Sequence, residues 1–187
     1  MKYQNLLFIS GFSFILSSLQ ILPVLSLTSS SNISGASPAR QWNWVSSFPN
    51  QLSSRLQAEL ADAKKLGAKP LNVQTQIKTA AFDSVISAGT IKWAIDEAGN
   101  LLIIKKNIGG SEIYHSVLTN GAPVAAAGEA EMAGDKTNGY FLLMISNYSG
   151  HYKPTGDTID LGIAAFKKAG VKTDSAKKVV QDPKKYS

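Results

Sequence analysis

Apolar positions recur at helical spacing early in the chain, alternate through the middle and return to helical spacing near the end. Leu52, Leu56, Leu60 and Ala63 form one stripe, which predicts a helix over 50–66. Asn50 or Ser53 can cap its start, Lys64 and Lys65 sit in its last turn, and Gly67 followed by Pro70 stops it. Ile77, Ala80, Ala81, Ser84 and Val85 predict a second helix over 72–87, which Gly89 ends. From Thr90 the period becomes two. Ile91, Trp93 and Ile95 alternate with Lys92, Ala94 and Asp96, the pattern of a half-buried strand. Further strands follow at 101–106, at 112–118 (which carries His115), at 124–132 and at 140–146. Asn120-Gly121 is a hairpin signal. Gly128 implies a bulge or a close backbone approach. The stretch 134–139 reads as a loop, and 147–156 as a longer one. Ile159, Ile163 and Phe166 then give an apolar face to a last helix, which Asp157 can cap and Gly170 stops. The predicted class is α+β: N-terminal helices, an antiparallel meander of about five strands and a C-terminal helix on one face.

The ends differ from this middle. Residues 6–27 carry no charge and follow Met1-Lys2, so 1–27 reads as a signal peptide, or as a membrane anchor if uncleaved. Val24-Leu25-Ser26 and Ser34-Gly35-Ala36 are the candidate cleavage sites. Residues 28–41 are a serine-rich flexible linker, 42–171 a single domain and 172–187 a loose lysine-rich tail. Trp42 and Trp44 are expected to pack on the domain edge. The expected location is secreted or periplasmic, with membrane contact only through an uncleaved N-terminus. An exported chain without cysteine holds together by its core alone and leans toward a bacterial source. The net charge of +6 suits an anionic partner, although most of it reads as solvated surface.

The candidate chemistry lies between 111 and 155, which holds both histidines, His115 in Tyr-His-Ser and His151 in Ser-Gly-His-Tyr. Two imidazoles are the minimum for paired acid–base catalysis. Cleavage of an RNA phosphodiester needs such a base and acid and a cation for the phosphate. Lys153 or Lys92 could be that cation, and Tyr152 or Ser116 a donor to a phosphate oxygen. The catalytic candidates are therefore His115 and His151, and the binding candidates Ser116, Ser149, Gly150, Tyr152 and Lys153. Taken singly, each histidine has a plainer reading. His115 would fill a slot between Ile113 and Val117, and His151 would anchor its loop. No cofactor and no metal are expected. Zinc would need a third ligand such as Glu129, and no His-Glu-x-x-His occurs. Ser116 is not expected to form a triad, because neighbours on a strand point to opposite faces. Gly150, in a tight connection, is expected to need a backbone angle closed to other residues, and Gly134 to tolerate alanine.

Three elements occur in order: Tyr-His-Ser-Val-Leu from Tyr114, Gly-Ala-Pro-Val-Ala-Ala-Ala-Gly-Glu from Gly121, and Asn-Tyr-Ser-Gly-His-Tyr-Lys-Pro-Thr from Asn147. This set, over 91–170, resembles a domain of bacterial exported and polymorphic-toxin-like proteins. It is also similar to the C-terminal region of plant IQ-motif calmodulin-binding proteins. The chain has no IQ motif, so calmodulin binding does not carry over, and the resemblance implies no settled reaction. The first functional expectation is an exported toxin- or effector-like domain with a two-histidine pocket, cleaving RNA without a metal. The alternative is a non-enzymatic secreted module that binds a small ligand or a protein partner. RNA or another anionic ligand is the expected partner in the first case.

Overall fold

Residues 47–185 are described by a computed structural model. The segments read as signal and linker lie outside them, as do Trp42 and Trp44. A 3₁₀ turn at Ser53–Arg55 leads into helix α1, Leu56–Lys65. The predicted second helix is three pieces: strand β1 at Leu71–Asn72, one turn of helix α2 at Val73–Gln76, and helix α3 at Ala80–Ile86. Ile77 leaves the helical region at ψ 144°, which ends α2, and Lys78 follows at φ 69°; the Thr79 hydroxyl caps α3 by accepting from Phe82 N at 3.2 Å.

Strands β2, Ile91–Asp96, and β3, Leu101–Lys105, form a hairpin. The strand expected at 112–118 does not form. Residues β4, Asn107–Ile108, and β5, Ser111–Glu112, pair as a separate small hairpin. Gly109 and Gly110, both at positive φ, turn it. The chain then tightens into a 3₁₀ turn at His115–Val117. Ile113, His115, Ser116, Val117 and Leu118 are all buried, so this stretch lacks the alternation a half-buried strand would show. Asn120 and Gly121 take left-handed angles of 54° and 80°, as their dipeptide suggests, yet they join no pair of strands.

Strand β6, Val124–Asp135, runs beside β2, and β7, Gly139–Ser146, folds back on it. Gly134 belongs to this ladder, opposite Tyr140, rather than to a loop. Helix α4, Thr158–Lys168, crosses the sheet, and Gly170 at φ 92° ends it. The Asp157 side chain makes no cap bond. The described part of the tail is not loose: β8, Lys177–Val179, joins the sheet parallel to β7. The result is α+β, with a mixed sheet in the order β1-β3-β2-β6-β7-β8. It is antiparallel except where the crossover through α4 brings β8 in parallel.

Both faces of the sheet are covered. On one, Trp93, Phe82, Ile103, Tyr140, Ile159 and Phe166 pack beneath α3 and α4. Gly162 lets α4 approach closely, since a Cβ there would meet the Trp93 ring at 2.6 Å. On the other face, Ala94, Ile104, Ile113, Val117, Ala127 and Tyr152 pack with Ala63 of α1. Strand β2 is therefore buried on both sides rather than one, and Lys92 is drawn inside with it. Among the described residues, no helix is long and apolar enough to cross a membrane.

Candidate functional site

The second face of the sheet holds an unusual number of buried polar side chains. Register places Lys92 of β2 opposite Glu129 of β6. The 3₁₀ turn brings His115 and Ser116, the loop 147–156 brings His151, and α1 brings Glu59. The apolar stripe of α1 is the reason for the last. Glu59 lies three positions after Leu56 and four before Ala63, on the face the helix turns inward. All of these side chains are buried.

Glu59 is the hub. The Ser116 hydroxyl donates to its Oε2 at 2.5 Å. His151 Nε2 lies 2.9 Å from Oε1 and 3.0 Å from Oε2, so it donates to the carboxylate. The Tyr114 ring stands 5.4 Å from the His151 ring, tilted by 46°. Gln51 N donates to the His151 carbonyl at 2.7 Å, which holds the loop to the start of the helical region. Ser116 is thus on a turn, not a strand, and the histidine it reaches through Glu59 is His151, not its neighbour His115. The arrangement is still not a nucleophile triad. The carboxylate stands between hydroxyl and imidazole, whereas such a triad needs the imidazole there.

His115 has its own partner. A carbonyl only accepts, so Nε2 carries the proton it donates to Gly128 O at 2.9 Å. Burial, followed by the charge of Lys92, holds the His115 imidazole well below its ordinary value of 6.5; His151 and Lys106 add to this, and the Gly128 bond opposes it. In the unfolded chain the same group regains its ordinary value. Between the two values the unfolded chain binds more protons, so this contribution to stability is present above about pH 6.5 and lost on acidification. Urea midpoints should therefore fall more steeply between about pH 7 and pH 5 in the wild type than in His115→Gln, whose amide can still donate to Gly128. Parallel pH profiles would remove His115 as the source.

Around this centre, Lys92 Nζ pairs with Glu112 at 2.6 Å and lies 5.7 Å from the Tyr114 ring centroid. Lys106 pairs with Glu129 Oε2 at 2.9 Å. The other oxygen, Glu129 Oε1, is buried without a hydrogen-bond partner among the described residues. Lys92, read as a phosphate cation, is instead enclosed against a carboxylate. Tyr152 is buried, with its hydroxyl donating to Ala122 O at 3.1 Å and 2.8 Å from Thr119 Oγ1. Burial pushes its phenol up from 10.0. Ser149 is also internal, its hydroxyl accepting from Tyr152 N at 3.3 Å. No group of three or more His, Asp or Glu side chains among the described residues is placed to hold a metal ion.

Two clefts flank the His151 network. One, of about 420 Å³, opens between α1 and residues 111–114 and is lined by Glu59, Asp62, Lys65, Glu112 and Tyr114, among others. The other, of about 370 Å³, is lined by Leu52, Arg55, Tyr148, Gly150, Lys153 and Lys185, with Gln181. Gly150 and Lys153 meet there. Neither histidine lines either cleft. Gly150 does not use a left-handed angle; in this loop Lys153 does, at φ 46°. Reading the sequence missed Glu59, Arg55, Tyr148 and Lys185. A carboxylate inside an apolar helical stripe was a usable signal for Glu59. Tyr148 lay inside the element singled out from Asn147 but was not read as a site residue, and nothing local marked Arg55 or Lys185, which come from separate segments. Compared with protein-family models, curated proteins and solved structures, the chain matches none.

Proposed function

We propose that this domain is an exported, non-enzymatic binding module whose ligand is anionic and docks in the cleft beside the His151 loop. One observation carries the reading: Arg55, Lys153 and Lys185, from three separate segments, line one cleft. Basic side chains gathered along one cleft make the local potential positive, which favours an anion. The chain's net charge of +6 acts in the same direction.

The buried histidines support a scaffold role in this reading. His115 commits one nitrogen to Gly128 O and His151 commits one to Glu59. The Ser116–Glu59–His151 network joins α1 to the loop that carries Gly150 and Lys153. It thereby sets the positions of Arg55, one residue before α1, and of Lys153.

Calorimetric titration of the full chain with inorganic pyrophosphate tests this. Binding should weaken as salt rises, and Arg55→Glu or Lys153→Glu should weaken it about tenfold or more, since a charged hydrogen bond is lost and a repulsion gained. His151→Gln should bind without altering that salt dependence. Unchanged affinity in both charge-reversal variants would sink the proposal. So would RNA cleavage by the wild type that His115→Ala and His151→Ala both abolish.

A further inference from the structure

A third cleft, of about 300 Å³, opens at the β1 edge of the sheet. It shares Leu66 with the cleft beside Glu59 and no residue with the basic cleft. Its origin is the shortness of β1. Leu71 and Asn72 pair with Ile103 and Leu102, so β1 stops short of Ile104 and Lys105 on β3. Apolar side chains from both faces of the sheet meet around that edge. Leu71 and Val85 belong to the core beneath α3, and Ile104, with Leu66 and Ile108 packed against it, to the core beneath α1. The walls are fixed. Ala68 N donates to Ala63 O at 2.9 Å and closes α1, and Lys105 Nζ donates to Ser84 Oγ at 3.1 Å, which ties β3 to α3.

Two cations border this apolar hollow. Lys69 and Lys105 both line it, and neither is ion-paired among the described residues. A bare anion would leave the apolar wall wet, and a neutral hydrocarbon would leave the two ammonium groups unused. A ligand with an apolar tail and a compact negative head uses both. At about 300 Å³ the cleft stands at the small end of ligand sites, which suits a short tail rather than a long lipid. We infer that this cleft binds a small amphipathic carboxylate of the medium-chain fatty-acid class. The tail lies against Leu66, Leu71, Val85 and Ile104, and the carboxylate pairs with Lys69 and Lys105. This site and the basic cleft are separate, and either can exist without the other.

Calorimetric titration of the full chain with hexanoate, octanoate and decanoate tests this. Affinity should rise about fourfold per added CH₂ until the cleft is filled. Octylamine, with the same tail and the opposite charge, should bind about tenfold or more weakly than octanoate. Lys69→Glu, at an exposed position, should weaken octanoate about tenfold or more and leave octanol as it was. Ala81→Trp, which puts a ring into the cleft from an exposed position on α3, should block octanoate and octanol alike. Should that variant misfold, as circular dichroism would show, Lys69→Glu decides alone. Excess pyrophosphate at matched ionic strength should not displace octanoate; displacement would put the acid in the basic cleft and overturn the site. Octanoate binding that is absent, or that Lys69→Glu leaves unaltered, overturns it as well.

Discussion

Gly128→Ala should destabilise the domain by about 3 kcal/mol or more, beyond the usual cost of an extra methyl group in a packed core. A Cβ at this position would stand 1.8 Å from Ser146 O, 2.8 Å from Ser146 C and 3.0 Å from Asn147 Cα. All three are backbone atoms, so no side chain can swing away to make room. Relief requires β6 to move from the end of β7, and Asn147 holds that end through its side-chain bonds to Pro154 and Gln181. The carbonyl of Gly128 also accepts from His115, so the same movement loosens the 3₁₀ turn. Gly134→Ala should be damaging as well, because Gly134 has φ 106° and its Cβ would lie 2.0 Å from Gly139 O. Gly150→Ala should be nearly neutral, within about 0.5 kcal/mol, since the space around it is open and its φ is ordinary. This reverses the order that sequence alone suggests for Gly134 and Gly150. Urea denaturation of the three variants checks it. A wild-type-like Gly128→Ala, or a Gly150→Ala as harmful as Gly134→Ala, would contradict the close strand approach.

Glu59→Ala carries the second large expectation, a loss of about 3–5 kcal/mol. Removal of the carboxylate leaves the Ser116 hydroxyl and the His151 N–H buried with no acceptor. An unpaired buried donor costs its full desolvation, which exceeds what the bond itself contributes. Helix α1 would lose its polar attachment to both the 3₁₀ turn and the 147–156 loop. Glu59→Gln should cost less, because its amide oxygen can accept from one of the two donors while its NH₂ opposes the other. Glu59 and His151 should be strongly coupled. The double variant Glu59→Leu/His151→Leu should lose clearly less stability than the two single changes added together, because it strands neither the carboxylate nor the imidazole, and Ser116 loses its acceptor only once. Strictly additive losses would mean that the two side chains do not share one network.

The fold class was legible because its main signals are local. The stripe of Leu56, Leu60 and Ala63, the alternation of Ile91, Trp93 and Ile95, and the apolar face of Ile159 and Phe166 need no knowledge of distant residues. The failures have a common cause. Residues 112–118 resemble a strand on paper, but Gly109 and Gly110 turn β5 onto β4 and leave the rest to coil into a 3₁₀ turn. The tail looks too charged to order, but β8 needs only an open sheet edge, which β7 supplies. Lys92 looked like the wet side of β2 until α1 and the 3₁₀ turn covered that side.

The candidate site divides in the same way. The sequence by itself determined that the histidines and the run 147–153 hold the uncommon side chains. It also determined that the core must form without disulfides, and that the chain carries excess positive charge. Only the tertiary structure decided the partners. Ser116 and Glu59 are 57 positions apart, and Glu59 and His151 are 92 apart. The cations of the basic cleft come from the start of α1, the 147–156 loop and the chain's last described turn. Periodicity records what a residue does to its own segment, through backbone geometry and burial of one face. It carries no record of which other segment will cover that face, because the covering contacts depend on closing long loops, and local pattern does not encode their ends.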